Sequence, residues 1–164
     1  MNQSNEWMRL NLIDQKTIEK YQNDMPIKLG LLSKELGLVV KRATLPANIS
    51  GEIKEQDGEV IIRVNRHDAK TRQRYTLAHE IAHFLLHRHL LSNGITDDVL
   101  YRSSQSDEIE AEANRLAADI LMPMHIVKNL MQKHDKLKGE NFYQAIADDL
   151  DVSVTAIKIR LNKM

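Results

Sequence analysis

The sequence predicts an α+β domain: a small twisted sheet, antiparallel or mixed, packed on one long helix and followed by a helical C-terminal half. Three observations carry this. Strand signals concentrate between residues 38 and 65, where a run rich in β-branched residues is followed by two short runs joined by a turn pair. Residues 70–88 then carry helical periodicity without an internal glycine or proline. Beyond residue 106 the apolar spacing is helical throughout, punctuated by caps and breakers.

The totals bound the function. At 164 residues the chain is long enough for one cored domain with a small appendage. Lys plus Arg and Asp plus Glu both total 23, so no strongly basic nucleic-acid surface is implied. The absence of cysteine excludes disulfide scaffolds, thiolate zinc fingers and cysteine nucleophiles. The start of the chain shows no signal peptide, and no apolar run is long enough to span a membrane. A soluble cytoplasmic protein is the expectation.

In chain order, residues 1–13 form an irregular start anchored by Trp7, and a short helix over 14–22 takes Asp14 as its cap. Pro26 opens and Gly37 closes a second helix, with Ile27, Leu31, Leu32 and Leu36 on its apolar side. A strand over 38–45 is halted by Pro46. Residues 51–56 and 59–65 form a hairpin on an Asp57-Gly58 pair suited to a type I′ turn. Residues 89–106 read as a loop. Ser106 or Asp107 caps a helix whose buried face is Ile109, Ala113, Leu116, Ala117 and Ile120. Pro123 starts another helix, a charged connector covers 133–140, and helices over 141–149 and 153–162 close the chain. This gives an N-terminal extension (1–25), a core (26–135) and a C-terminal helical cap (136–164).

The chemistry sits on the long helix. His79-Glu80-Ile81-Ala82-His83 is an H-E-x-x-H motif. Histidines four apart stack on one helix face and can share a tetrahedral zinc at about 2.0–2.1 Å. Glu80, beside them, can carry a proton from metal-bound water to a leaving amine. The helical wheel places Leu77, Ile81, Phe84 and Leu85 on a core face and the two histidines opposite.

A third ligand is required. His89 has the metzincin spacing, but Leu86 stands where that pattern needs glycine, which excludes it. Among the acids of the next helix, Glu108 and Glu112 join Arg115 and Asp119 on a wet charged face. Glu110 borders the apolar stripe above Asn114, and it fits a ligand best. Asn114, one turn on, can hydrogen-bond a ligating imidazole. His87 extends the histidine ladder as a cleft or packing residue rather than a ligand.

Residues 74–83 and the block Glu110-Ala111-Glu112-Ala113-Asn114-Arg115-Leu116-Ala117-Ala118-Asp119-Ile120-Leu121-Met122-Pro123 resemble the ImmA/IrrE-type zinc metallopeptidases, over roughly residues 26–162. The resemblance implies a thermolysin-like zincin core with one Zn²⁺ per chain. It implies His79, His83 and Glu110 as ligands and Glu80 as the catalytic acid/base. It also implies a protein substrate, such as a helix-turn-helix repressor whose cleavage relieves repression. Ile81-Ala82 stands where many relatives have Leu-Gly, and Leu116 where Phe is common.

The expected enzyme is a zinc endopeptidase. The strand 59–65 would align an extended peptide by edge pairing, through Ile62, Val64 and Asn65. The oxyanion donor stays open among Tyr101, His87, Tyr75 and an arginine. The C-terminal helices have a helix-turn-helix rhythm, with Asp151 in place of the usual turn glycine. Asp148, Asp149 and Asp151 would repel phosphate, and Ile157, Ile159 and Leu161 are expected to pack inward. A docking or structural cap is therefore expected over direct DNA contact through Lys158, Arg160 and Lys163. The alternative is a DNA- or protein-binding regulator whose metal site is structural or vestigial.

Overall fold

The computed structural model describes residues 3–98 and 105–163. Among these, the strands are β1 (Leu38–Ala43), β2 (Ile49–Gln56), β3 (Glu59–Asn65) and β4 (Ile95–Asp98). The helices are α1 (Asn5–Arg9), α2 (Leu12–Gln22), α3 (Leu29–Glu35), α4 (Lys70–Leu86), α5 (Asp107–Leu121), α6 (Met124–Lys133), α7 (Glu140–Leu150) and α8 (Val154–Arg160).

The four strands form one mixed sheet in the order β1-β3-β2-β4. β1 runs parallel to β3, and β2 is antiparallel to both β3 and β4. The β2–β3 hairpin turns on Asp57 (φ 54°) and Gly58 (φ 79°), two successive positive φ values that match a type I′ turn. Alternation along β3 turns Val60, Ile62 and Val64 onto the buried face, where α4 covers the sheet. Arg63 and Glu52 pair on the opposite, wetter face. A shift in the β2–β4 register between Ile49 and Gly51 marks an irregularity in the pairing.

Helix α4 is therefore the middle layer. It has the sheet on one side, α5 on the other, and α3 against its flank. Ile53, Ile62, Ile81, Ile95, Leu116 and Ile120 meet in the core between these layers. A helix sandwiched in this way has no wet face over its central turns, and this governs the site.

Several boundaries differ from the sequence expectation. The start of the chain is not irregular: Ser4 caps α1 by accepting from the Trp7 N–H, and Trp7 is buried. α2 begins at Leu12 under Asn11, which accepts from the Asp14 N–H, so Asp14 lies inside the helix and not at its cap. Leu31 is exposed, while Leu29 takes the buried position expected of it. Residues 89–106 are not all loop, because β4 lies within them.

The α5 face expected to be wet is covered in part. Glu6 of α1 takes Arg115 in a two-point ion pair at 2.8 and 3.1 Å, and Arg9 pairs with Glu112. Asp119 is buried, accepting from Ser4 and from Arg160 at 2.9 Å. Of that set, Glu108 and Arg115 are exposed, as expected.

The C-terminal helices close over the same region. Asp151 adopts the left-handed conformation (φ 57°) in place of glycine, and Ser153 caps α8. Ile157 is buried, but Ile159 is 60 % exposed and does not pack inward as expected. Arg160 donates to the Met122 carbonyl and to Asp119, which ties α8 to the end of α5. None of the described helices is long and apolar enough to cross a membrane.

Candidate metal centre

α4 places His79, Glu80 and His83 on the layer interface, and all three are fully buried. The expected division into a core face and a ligand face does not hold. Ala78, Ile81 and Ala82 are buried too, while Leu77, Phe84 and Leu85 are only half-buried. The sheet and α5 enclose the helix from both sides, so its polar residues sit inside the protein.

The imidazoles face each other at Nε2···Nε2 3.1 Å. Glu110, from the first turns of α5, brings Oε1 to 3.0 Å from His79 Nε2 and Oε2 to 3.3 Å from His83 Nε2. Ser106 positions this turn by capping α5, accepting from the Ile109 N–H.

Each histidine is held from behind. His79 Nδ1 lies 2.9 Å from Asn114 Oδ1, which can only accept, so Nδ1 carries the hydrogen and Nε2 presents the lone pair of the neutral ring. His83 Nδ1 meets His87 Nδ1 at 2.9 Å, and His87 Nε2 meets Glu112 at 3.0 Å. Glu112 likewise only accepts. The chain of donors therefore runs from His83 through a neutral His87 to Glu112. Burial holds His87 below its ordinary histidine value despite the Glu112 carboxylate beside it, consistent with that neutral ring.

A fourth group completes the cluster, and the sequence reading missed it. Asp97 of β4 is fully buried, with Oδ2 3.5 Å from His79 Nε2 and 3.7 Å from His83 Nε2. The signal was present: Asn93-Gly94 makes a turn, and in the Ile95-Thr96-Asp97 that follows, Asp97 shares a face with the buried Ile95.

Glu80 and Asp97 leave all four carboxylate oxygens buried without a hydrogen-bond partner among the described residues. Orphaned buried acids are costly unless a cation compensates them. Burial drives Glu80 well above the ordinary carboxylate range, reinforced by Asp97 and Glu110. Burial opposes charge on His79 as well, yet Asp97 and Glu110 prevail and raise it to about 9. Glu110 is also penalised by burial, but the two histidines hold it well below the usual range. The residues fit a metal on these grounds: two imidazoles and two carboxylates offer ligand atoms that all lie within 4.8 Å of one another.

The model of the IrrE N-terminal-like domain family, a peptidase family, matches residues 33–162. The chain belongs to this family. No curated protein matches the chain significantly. In this IrrE-like domain the matched span takes in the sheet, the α4 motif, α5 and the C-terminal helices together.

The close approach of β2 to the IrrE-like site depends on a glycine. A Cβ at Gly51 would sit 2.4 Å from Thr76 Cγ2 and 3.0 Å from Glu80 Oε2. Gly51→Ala is expected to lower stability by about 1–3 kcal/mol through overpacking, read as a lower denaturant midpoint at unchanged slope. Asn114→Ala removes the acceptor behind His79. It is expected to weaken zinc binding by roughly 10–100-fold in chelator competition, with little change in melting temperature of the metal-free protein.

Other residues expected at the site lie elsewhere. β3 is hydrogen-bonded on both sides, to β1 and β2, so it has no free edge to offer a peptide. Ile62 and Val64 are core residues. The Asn65 amide donates to the carbonyls of Leu45, Pro46 and Ile49, fixing the β1–β2 connection. The substrate-aligning role assigned to these three residues is thereby withdrawn.

α4 stops at Leu86 without the glycine, but His89 is exposed on the 3₁₀ turn that follows and lies outside the cluster. Of the oxyanion candidates, Tyr101 lies outside the described residues. His87 is engaged by His83 and Glu112, and the Tyr75 hydroxyl lies 3.5 Å from the Asn114 carbonyl. A cavity of about 930 Å³ is lined by Tyr75, Asn114, Ala118, Met122 and Ile159, among others. None of the four cluster residues lines it.

Proposed function

We propose that the chain is a zinc-dependent endopeptidase that cleaves a partner protein such as a helix-turn-helix transcriptional repressor. The observation that supports this best is the convergence of His79, His83 and Glu110 beside the orphaned carboxylate of Glu80. His79, His83 and Glu110 would hold the ion. When bound, Zn²⁺ supplies Lewis acidity and lowers the pKa of water toward neutrality.

The remaining chemistry belongs to the chain. Asn114 and His87 fix the two rings so that Nε2 of each faces inward. Enclosure by the sheet and α5 excludes bulk water and strengthens local charge interactions. Glu80 accepts a proton from the attacking water on its carboxylate and returns it to the departing amine. Burial raises its proton affinity, which favours taking that proton.

Membership of a peptidase family supports the reaction class. Resemblance to metallopeptidases that relieve repression supports the partner class and a cytoplasmic setting. The test is incubation of the full chain with a repressor encoded beside it, with and without chelator, followed by mass spectrometry. A single cut that chelator abolishes and zinc restores is expected. An uncut repressor in the zinc-loaded reaction rejects this partner.

A further inference from the structure

The geometry points to Asp97 as a fourth protein ligand that closes the metal centre in the resting chain, so that β4 acts as its gate. This rests on the zinc reading above. Ligand atoms about 2.0–2.2 Å from a tetrahedral zinc lie roughly 3.3–3.6 Å from one another. The three contacts among His79, His83 and Glu110 measure 3.0, 3.1 and 3.3 Å. The Asp97 contacts to the two histidines, 3.5 and 3.7 Å, lie close to that range. Two imidazole nitrogens and one oxygen from each acid all lie within 4.8 Å of one another, so the four can close on one tetrahedral ion, with Glu110 facing the two histidines through different oxygens. The fourth vertex is a side chain. In catalytic sites that vertex is left to water, whereas sites closed by four protein ligands are inert.

Two features make Asp97 the ligand that leaves. First, it has no anchor. His79 is held by Asn114 and His83 by His87, but neither Asp97 oxygen has a hydrogen-bond partner among the described residues. Second, its strand is the weakest of the sheet. Among the described residues β4 has four residues, lies at the sheet edge and pairs only with β2, next to a register shift. An edge strand also presents unpaired backbone groups to an extended peptide. Pairing of a substrate segment with β4 would couple substrate arrival to displacement of Asp97. The chain would then be latent until a partner protein engages this edge.

Cobalt(II) substitution of the full chain tests the assignment without relying on cleavage. The wild-type cobalt protein is expected to show tetrahedral visible bands that azide does not shift, because no position is open. Asp97→Asn is expected to bind cobalt at least about tenfold more weakly in competition with a chromophoric chelator. Its bands are expected to respond to azide. Azide-sensitive bands in the wild type would overturn the closed centre, and that measurement needs no variant to fold. Equal affinity and azide-insensitive bands in a folded Asp97→Asn protein would overturn the role of Asp97 while leaving the zinc reading intact. A wild type that takes up neither cobalt nor zinc would reject the zinc reading itself.

Discussion

Glu80→Gln is expected to slow peptide cleavage by about 10²–10⁴-fold while zinc stays bound. Glu80 lies beside the four-residue ligand cluster and is not part of it. Its contribution is a proton-accepting oxygen that no other described group occupies. Glutamine keeps the shape and removes the base. The substitution should also stabilise the metal-free protein at neutral pH. Burial, with Asp97 and Glu110 nearby, raises the folded-state pKa of Glu80 well above the unfolded value. Ionisation is therefore disfavoured in the fold, and wild-type stability falls as pH rises beyond about 4.3, the ordinary glutamate value. The amide carries no such penalty. Single-turnover cleavage, zinc content and melting temperature together decide the matter. Cleavage at the wild-type rate by the zinc-loaded variant would remove Glu80 from the mechanism.

Local signals carried the metal helix and its sheet into the sequence reading. H-E-x-x-H, the Asp57-Gly58 turn and the capping serine at 106 each act over a few residues, and each lies where expected. Glu110 and Asn114 were legible through helical phase, because four residues along α5 fix which side chains share a face.

What was not legible is tertiary. Strand order depends on which chain segments pair, and nothing local in residues 59–65 marks β3 as an inner strand. A helical wheel describes one helix alone, so it assigned α4 a wet side that the sheet and α5 in fact cover. The same limit applied to α5. Its charged face is polar in composition, but α1 and α8 supply Glu6, Arg9, Ser4 and Arg160 to it from far along the chain. Asp97 sits in a strand of four residues, shorter than periodicity can detect reliably, and only pairing with β2 gives it a direction. The residue that most changes the reading of the site was thus the one with the least local signal.

Zinc is expected to raise the melting temperature strongly, with a pH dependence opposite to that of the metal-free fold. At a thousandfold excess over Kd, a ligand binding only the native state stabilises it by about 4 kcal/mol. For a domain of this size that corresponds to roughly 8–16 °C. The pH dependence follows from His79. Asp97 and Glu110 overcome its burial and raise its pKa from 6.5 to about 9 in the metal-free chain. A basic group raised in the fold contributes stability that is complete below its unfolded value and is lost as pH rises through its folded value. The metal-free protein should therefore lose that contribution between about pH 6.5 and pH 9. Zinc requires the neutral ring, so each metal bound below pH 9 displaces a proton from this site. The increment due to zinc should then grow across the window in which the metal-free protein weakens. Melting curves at several pH values, with zinc and with chelator, measure both slopes. Glu110→Gln provides the control, since it removes one of the two carboxylates that raise His79 and one of the ligands at once. Its metal-free slope should flatten and its zinc increment should shrink. Parallel slopes with and without zinc in the wild type would mean that the ion binds away from His79.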